Sequence, residues 1–214
     1  MLTLVLAASV AANANPSLPE LIRSRPVEYS QQSVKKSTYG FTRLQLTISP
    51  VGRMVHCNVL VSSGVPDLDE AGCASFKVSK FKPARDAAGA ATFGTYNTNI
   101  LFFLRGKKVS TPSAADLSLA VSHMPSGSGP ISVRDAALTV DVAGKVTACK
   151  SIVATGPENA LDHALCTMAM SRLSFKPVLN EKNKPVASIQ SFSVEFSQAD
   201  APADAKAPGD ASGR

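Results

Sequence analysis

Leu44, Leu46 and Ile48 alternate with polar residues up to Pro50-Val51-Gly52-Arg53, and beyond that break Val55, Cys57, Val59 and Val61 alternate again. Period-two alternation marks a half-buried strand. Two such runs joined by a short turn, with a glycine able to take positive φ, predict a β-hairpin. Ser63-Gly64-Val65-Pro66-Asp67 then breaks the second strand. Asp67 is placed to cap a helix whose core-facing positions Leu68, Ala71, Ser75 and Val78 recur at helical spacing. After Phe81-Lys82-Pro83 a polar loop leads to a third strand over 96–104.

The same pattern returns about 92 residues later. Leu44 to Arg53 aligns with Ala136 to Lys145, Cys57 with Cys149, Gly64 with Gly156, and Leu68-Asp69 with Leu161-Asp162. Two one-residue insertions in the second copy then bring Cys73 onto Cys166 and Phe81-Lys82-Pro83 onto Phe175-Lys176-Pro177. The second helix, with Leu161, Leu165, Met168 and Arg172 at helical spacing, is the stronger of the two, and its third strand runs over 189–196. The predicted class is α+β: two tandem ββαβ domains, each a three-stranded, antiparallel-type sheet with one helix packed on one face. A right-handed crossover lays each helix over its sheet, and the third strand lies at an edge.

The expected boundaries are 34–107 for the first domain, 108–129 for the linker and 130–198 for the second domain. The linker ends in Pro125-Ser126-Gly127-Ser128-Gly129-Pro130, and Asp116 to Val121 reads as a short helix within it. Residues 199–214 have almost no apolar bulk and are expected to be a disordered tail. Residues 1–14 are an apolar stretch ending in Ala12-Asn13-Ala14, the form of a signal peptide cleaved after Ala14. Export places the protein in the periplasm or outside the cell, and no other segment is apolar enough to span a membrane.

Four cysteines in an exported chain are an even set in an oxidising compartment, and four thiols allow three pairings. The net charge of +6 is uneven: 13 basic against 6 acidic residues from Asn15 to Lys108, seven of each from Val109 to Gln198. Such a face suits anionic envelope polymers. Its basic residues are not interleaved with aromatics, which argues against nucleic acid.

These residues together resemble the TonB C-terminal domain. The resemblance rests on the Gly-Arg or Gly-Lys turn, the strand cysteine, the Ser-Gly or Thr-Gly break, Leu-Asp opening a helix, the helical cysteine and Phe-Lys-Pro. It covers 41–105 and 133–197, and it resembles the variant in which a strand cysteine and a helix cysteine are paired. That implies bridges Cys57–Cys73 and Cys149–Cys166, and equivalent positions in two copies of one fold require equivalent neighbours. The resemblance also implies binding by main-chain pairing along the third strand, where a receptor's TonB box docks. The expected edges are Asn97, Thr98, Asn99, Ile100, Leu101 and Phe102 in the first copy, and Ser191, Phe192, Ser193, Val194, Glu195 and Phe196 in the second.

Residues for other chemistry are scarce. His56, His123 and His163 stand apart in sequence, and alternation points His56 and Cys57 to opposite faces. Asp67, Asp69 and Glu70 gather at a helix start, where the dipole favours them. Gly127-Ser128-Gly129 is not a nucleophile elbow, and cysteines spaced 16 and 17 apart form neither a zinc ribbon nor a thioredoxin-type pair. No catalytic, metal or cofactor site is therefore expected. The expected function is that of a periplasmic TonB-like adaptor, pairing with an extended peptide or another cell-envelope protein such as an outer-membrane receptor segment. It is not that of a stand-alone energy transducer, for which the long anchor and long Pro-rich segment are missing. The alternative is a structural envelope protein that binds peptidoglycan or another anionic polymer.

Overall fold

The computed structural model describes residues 15–24, 26–27, 38–112, 115–152 and 159–199. The expected signal peptide, residues 34–37 at the expected start of the first domain, Gly156 and all but the first residue of the expected tail lie outside these. In chain order the elements are β1 (Glu20–Arg23), β2 (Gly40–Ile48), β3 (Met54–Val61), α1 (Pro66–Ser75), β4 (Lys80–Lys82), β5 (Ala84–Arg85) and β6 (Ala91–Phe102). There follow β7 (Leu117–Val121), β8 (Ile131–Val140), β9 (Val146–Ile152), α2 (Ala160–Arg172), β10 (Val178–Leu179), β11 (Pro185–Val186) and β12 (Ser188–Gln198).

The two hairpins form in the same register, Leu46 opposite Cys57 and Leu138 opposite Cys149, with an irregularity at the same step, Thr47/Ile48 and Thr139/Val140. Their turns need glycine. Gly52 and Gly144 have φ of +74° and +86°, where a side chain is strained. A Cβ at either would also overlap the carbonyl oxygen of Phe81 or Phe175. The close approach lets Phe81 N–H donate to Gly52 O at 3.1 Å and Phe175 N–H to Gly144 O at 2.8 Å. The Phe-Lys-Pro segment is thus clipped to the hairpin in both copies.

Each helix covers its own hairpin. Leu68 and Gly72 of α1 are buried against a core of Leu44, Leu46, Ile48, Ile100 and Phe102. Leu161, Leu165 and Ala169 of α2 close over Leu138, Val140, Phe192, Val194 and Phe196. α1 is shorter than its spacing predicted: it stops at Ser75, and Val78 lies beyond it, 54 % exposed. Asp67 is not its cap. Val65 holds that position without a side-chain hydrogen bond, and Pro66, which has no amide hydrogen to satisfy, opens the helix. In α2 Asn159 caps, and Asp162 completes a reciprocal capping box. The equivalent acids also tie each helix to the chain before it: Ser62 Oγ, one residue past β3, donates to Asp69 at 2.5 Å, and Ser151 Oγ of β9 to Asp162 at 2.7 Å.

Disulfides staple the same layer, Cys57–Cys73 with Cα atoms 5.9 Å apart and Cys149–Cys166 at 5.5 Å. Among the described residues no cysteine is free.

The expected separate three-stranded sheets are joined. One sheet runs β3-β2-β6-β12-β8-β9, with β5 added on β6 and β7 on β12. At its centre β6 and β12 pair in parallel, Phe93 beside Ser188 and Gly94 beside Ile189. Paired residues of neighbouring strands share a face, and side chains alternate along each strand. Even-numbered residues of β6 pack under α1 and even-numbered residues of β12 under α2. The join sets an odd number against an even one, so α1 and α2 cover opposite faces. Each copy's polar face is then partly covered by the other copy: Ala84 packs with Ala137 and Ile189, and His56 Nε2 donates to the Asn180 carbonyl at 3.0 Å. The third strands are interior, not edges; the outer strands are β3 and β9. Asp116 to Val121 is not a helix either, because Leu117–Val121 is recruited as β7, parallel to β12.

A bridge closing a loop of 16 or 17 residues should stabilise by roughly 3 kcal/mol in the chain-entropy estimate. Cys149→Ala with Cys166→Ala, which removes one bridge, should therefore lower the melting temperature by roughly 10 °C, and reduction of both bridges by about twice as much, measured by circular dichroism. Gly52→Ala and Gly144→Ala should each cost at least about 2 kcal/mol in urea unfolding through the positive φ and the lost clip. Values near zero would show that the turn relaxes.

Candidate strand-pairing site

β6 and β12 make two ladder pairs and then diverge. From β12 the next contact back to β6 is a side-chain one: Ser191 N–H donates to Thr95 Oγ1 at 2.9 Å. Past that point the flank of β12 is taken by β7, with Val194 beside Leu117, Phe196 beside Leu119 and Gln198 beside Val121. Leu117, Leu119 and Val121 add to the core under α2. Of the two expected binding edges, Ser191, Phe192, Ser193, Val194, Glu195 and Phe196 are therefore paired with β8 along their whole length. On the other side they meet Thr95, Asp116 and β7. That edge is closed by the chain itself.

Asn97, Thr98, Asn99, Ile100, Leu101 and Phe102 pair with β2 on one flank. On the flank that faces the second repeat, no strand among the described residues pairs with β6 beyond Gly94. The Asn97 Oδ1 atom is buried with no hydrogen-bond partner among the described residues, which is costly for an amide oxygen. Of the two predicted edges, this is the one on whose outward flank no strand among the described residues is paired over Asn97–Leu101.

A polar clasp holds the mouth of the split. Asp116 Oδ1 accepts from Arg43 at 3.0 Å and Oδ2 accepts from Ser193 N–H at 2.8 Å, while Asp116 N–H donates to Ser193 O at 2.8 Å. Arg43 also donates to the Ala115 carbonyl at 3.3 Å. The Arg43 side chain is 8 % exposed and that of Asp116 23 %, so this ion pair is largely out of water and its partners matter to each other. Burial pushes the Asp116 carboxyl above its ordinary value, and repulsion from Asp135 adds to this; the Ser193 amide and Arg43 pull the other way and do not fully offset it. Asp135 itself accepts from Ser193 Oγ.

Asp69 has the opposite balance. Burial raises it, yet the hydrogen bonds from Ser62, Ser63 and Thr42 together hold it below its ordinary value. Asp67 and Glu70, grouped with it in the sequence, take no part in these hydrogen bonds.

His56, His123 and His163 are not brought together, and no three His, Cys, Asp or Glu side chains among the described residues could jointly hold a metal ion. No helix among the described residues is long and apolar enough to cross a membrane. Sequence reasoning missed β7, Asp116 and Arg43. The alternation of Leu117, Leu119 and Val121 was the available signal, but five residues are too few to separate a strand from a helix turn.

Asp116→Asn and Asp69→Asn should shift acid stability in opposite senses. A carboxyl raised in the fold favours folding below its ordinary value near 3.8 and loses that advantage as pH rises toward its folded value. A lowered one contributes above 3.8 and is lost as pH falls through its folded value. From about pH 3 to pH 6 the stability of Asp116→Asn relative to wild type should therefore rise and that of Asp69→Asn should fall, read from urea midpoints across the window. Parallel slopes would contradict the assigned environments.

Residues 25–104 match the family described as Gram-negative bacterial TonB protein C-terminal. Among solved structures, the solution NMR structure of the Pseudomonas aeruginosa TonB C-terminal domain aligns at 20 % identity with a TM-score of 0.36, covering 43 % of this chain and 92 % of that one. No curated protein sequence matches.

Proposed function

We propose that this chain, which is TonB C-terminal domain-like over its first repeat, is a non-enzymatic periplasmic binding protein that recognises an extended segment of a cell-envelope protein by strand pairing along β6. One observation carries the reading: β6 is a 12-residue strand whose flank beyond Gly94 faces no paired strand among the described residues. Backbone groups left unpaired on a sheet flank are a template for an added strand. Outer-membrane receptor segments are the partner class that the family match favours.

The test is titration of extended receptor-derived peptides into the isotope-labelled protein, followed by NMR. Amide shifts should concentrate on Asn97 to Leu101, and proline at a peptide position whose N–H meets β6 should weaken binding by about tenfold or more. Raising salt from about 50 to 500 mM should change the dissociation constant by less than about threefold, because main-chain pairing carries little net charge. A steep loss of affinity with salt, and shifts spread over the lysines of the first repeat, would replace this reading with that of a polyanion binder such as a peptidoglycan protein.

A further inference from the structure

One end of the first repeat gathers positive charge around exposed apolar side chains. β1 pairs with β4, Glu20 opposite Lys82, Leu21 opposite Phe81 and Arg23 opposite Lys80, and the register shifts between Leu21 and Arg23. Leu21 and Phe81 pack on the core under α1. Glu20, Arg23, Lys80 and Lys82 are left exposed, and the shift leaves Ile22 without a partner in the ladder, 60 % exposed. The clip from Phe81 N–H to Gly52 O brings the turn after β2 against this ribbon. Val51 is 80 % exposed at the tip of that turn, with Arg53 exposed beside it. Past the C-terminal end of α1, Lys77 and Val78 are exposed as well. Residues 20–23, 50–54 and 76–83 hold five cations and one carboxylate, Glu20, which Lys82 meets at 2.8 Å. Arg23, Arg53, Lys77 and Lys80 have no ion-pair partner among the described residues.

The fold does not require these side chains. The second copy builds the same clipped turn, yet Ser171 and Ser174 stand where the first has Lys77 and Lys80, and Ala143 stands in the place of Val51. No strand among the described residues is added there as β1 is in the first copy. Unpaired like charges repel one another, and exposed apolar side chains gain nothing from water. Both are relieved against a surface that is anionic at its face and apolar just beneath. We infer that this end of the first repeat docks on a phospholipid bilayer carrying anionic headgroups, with Ile22, Val51 and Val78 entering the interface and the four unpaired cations meeting headgroup phosphates. A soluble polyanion would use the cations and leave the apolar tips without a partner. The parallel join of β6 and β12 turns both hairpin tips to one end of the sheet, since Ile48 lies opposite Gly94 and Val140 opposite Ser188. Val142, 57 % exposed, is thereby brought to the bilayer side, and Asp141 beside it is bonded into its own turn. Asn97 to Leu101 lie farther along β6, toward the opposite end, so this surface is separate from the flank proposed for strand pairing.

The test is cosedimentation of the full chain with vesicles of phosphatidylglycerol and phosphatidylcholine, against vesicles of phosphatidylcholine alone. Each basic residue near an anionic surface is worth about a fivefold gain in partition, so the anionic vesicles should bind at least about tenfold more tightly. Lys77→Glu with Lys80→Glu should lose about tenfold or more of that affinity. Ile22→Ser with Val51→Ser, at unchanged charge, should lose about threefold or more. All four positions are exposed, and unchanged thermal melting checks that the variants fold. Equal binding to both kinds of vesicle would overturn the inference. Loss with the charge pair but not with the apolar pair would overturn it in favour of a soluble polyanion such as peptidoglycan, checked on isolated sacculi. The chain has no tryptophan, so Val51→Trp supplies a single reporter should either pair fail to fold. Its emission should shift to the blue on anionic vesicles, and an unchanged spectrum would overturn the docking. Peptide shifts on β6 without vesicle binding defeat this inference alone, and vesicle binding without those shifts defeats only the reading for β6.

Discussion

Two ladder pairs between β6 and β12, Phe93 with Ser188 and Gly94 with Ile189, set the arrangement of everything else in the molecule. They are parallel, so the two copies meet third strand to third strand with their helices on opposite faces. The contact is tight: a Cβ at Gly94 would overlap Ala84 and Pro19, which lie over the join. A polar face that would be half in solvent in a lone copy gains a cover of Ala84 on one side and of the 176–180 segment on the other. The same join makes the strands diverge, since after Ile189 the amide of Ser191 turns to the Thr95 hydroxyl instead of to a β6 carbonyl.

Each copy is small, and its own means of support are local. A glycine turn clipped to the Phe-Lys-Pro segment, an acid at the helix start bonded to a serine of the preceding chain, and a disulfide between strand and helix recur in both copies. A core of this size holds only a few kcal/mol unaided, about what one such bridge contributes in the chain-entropy estimate. The copies differ where local constraints are weaker: α1 opens on proline with an uncapped Val65, while α2 has a full capping box.

The split between β6 and β12 concentrates the polar chemistry. Arg43, Thr95, Asp116, Ser191 and Ser193 exchange hydrogen bonds there across the two repeats and the connecting chain. Main-chain groups at the sheet centre must be paired or solvated, and this cluster does on β12 what a ladder would otherwise do. On β6 it does not extend past Thr95, which is why the flank from Asn97 onward differs from its counterpart despite the repeat.

Local features were legible in the sequence because their causes are local. Period-two alternation around Leu46 and Cys57 specified the hairpins, positive-φ glycines the turns, and the repeat itself the cysteine pairs, since equivalent side chains in equivalent frames must meet equivalent neighbours. The edges at Asn97–Phe102 and Ser191–Phe196 were read from a single ββαβ unit, in which the third strand is terminal. Whether such an edge stays open depends on what docks against it, and that is a matter of tertiary structure. The second copy, the segment after Asp116 and the pairing of Arg43 with an acid 73 positions away are long-range choices, decided by burial of Phe196 and Val194 and by satisfaction of buried main chain. Leu117–Val121 is the clearest case: alone it is equally a helix turn or a strand, and only the vacant flank of β12 makes it a strand.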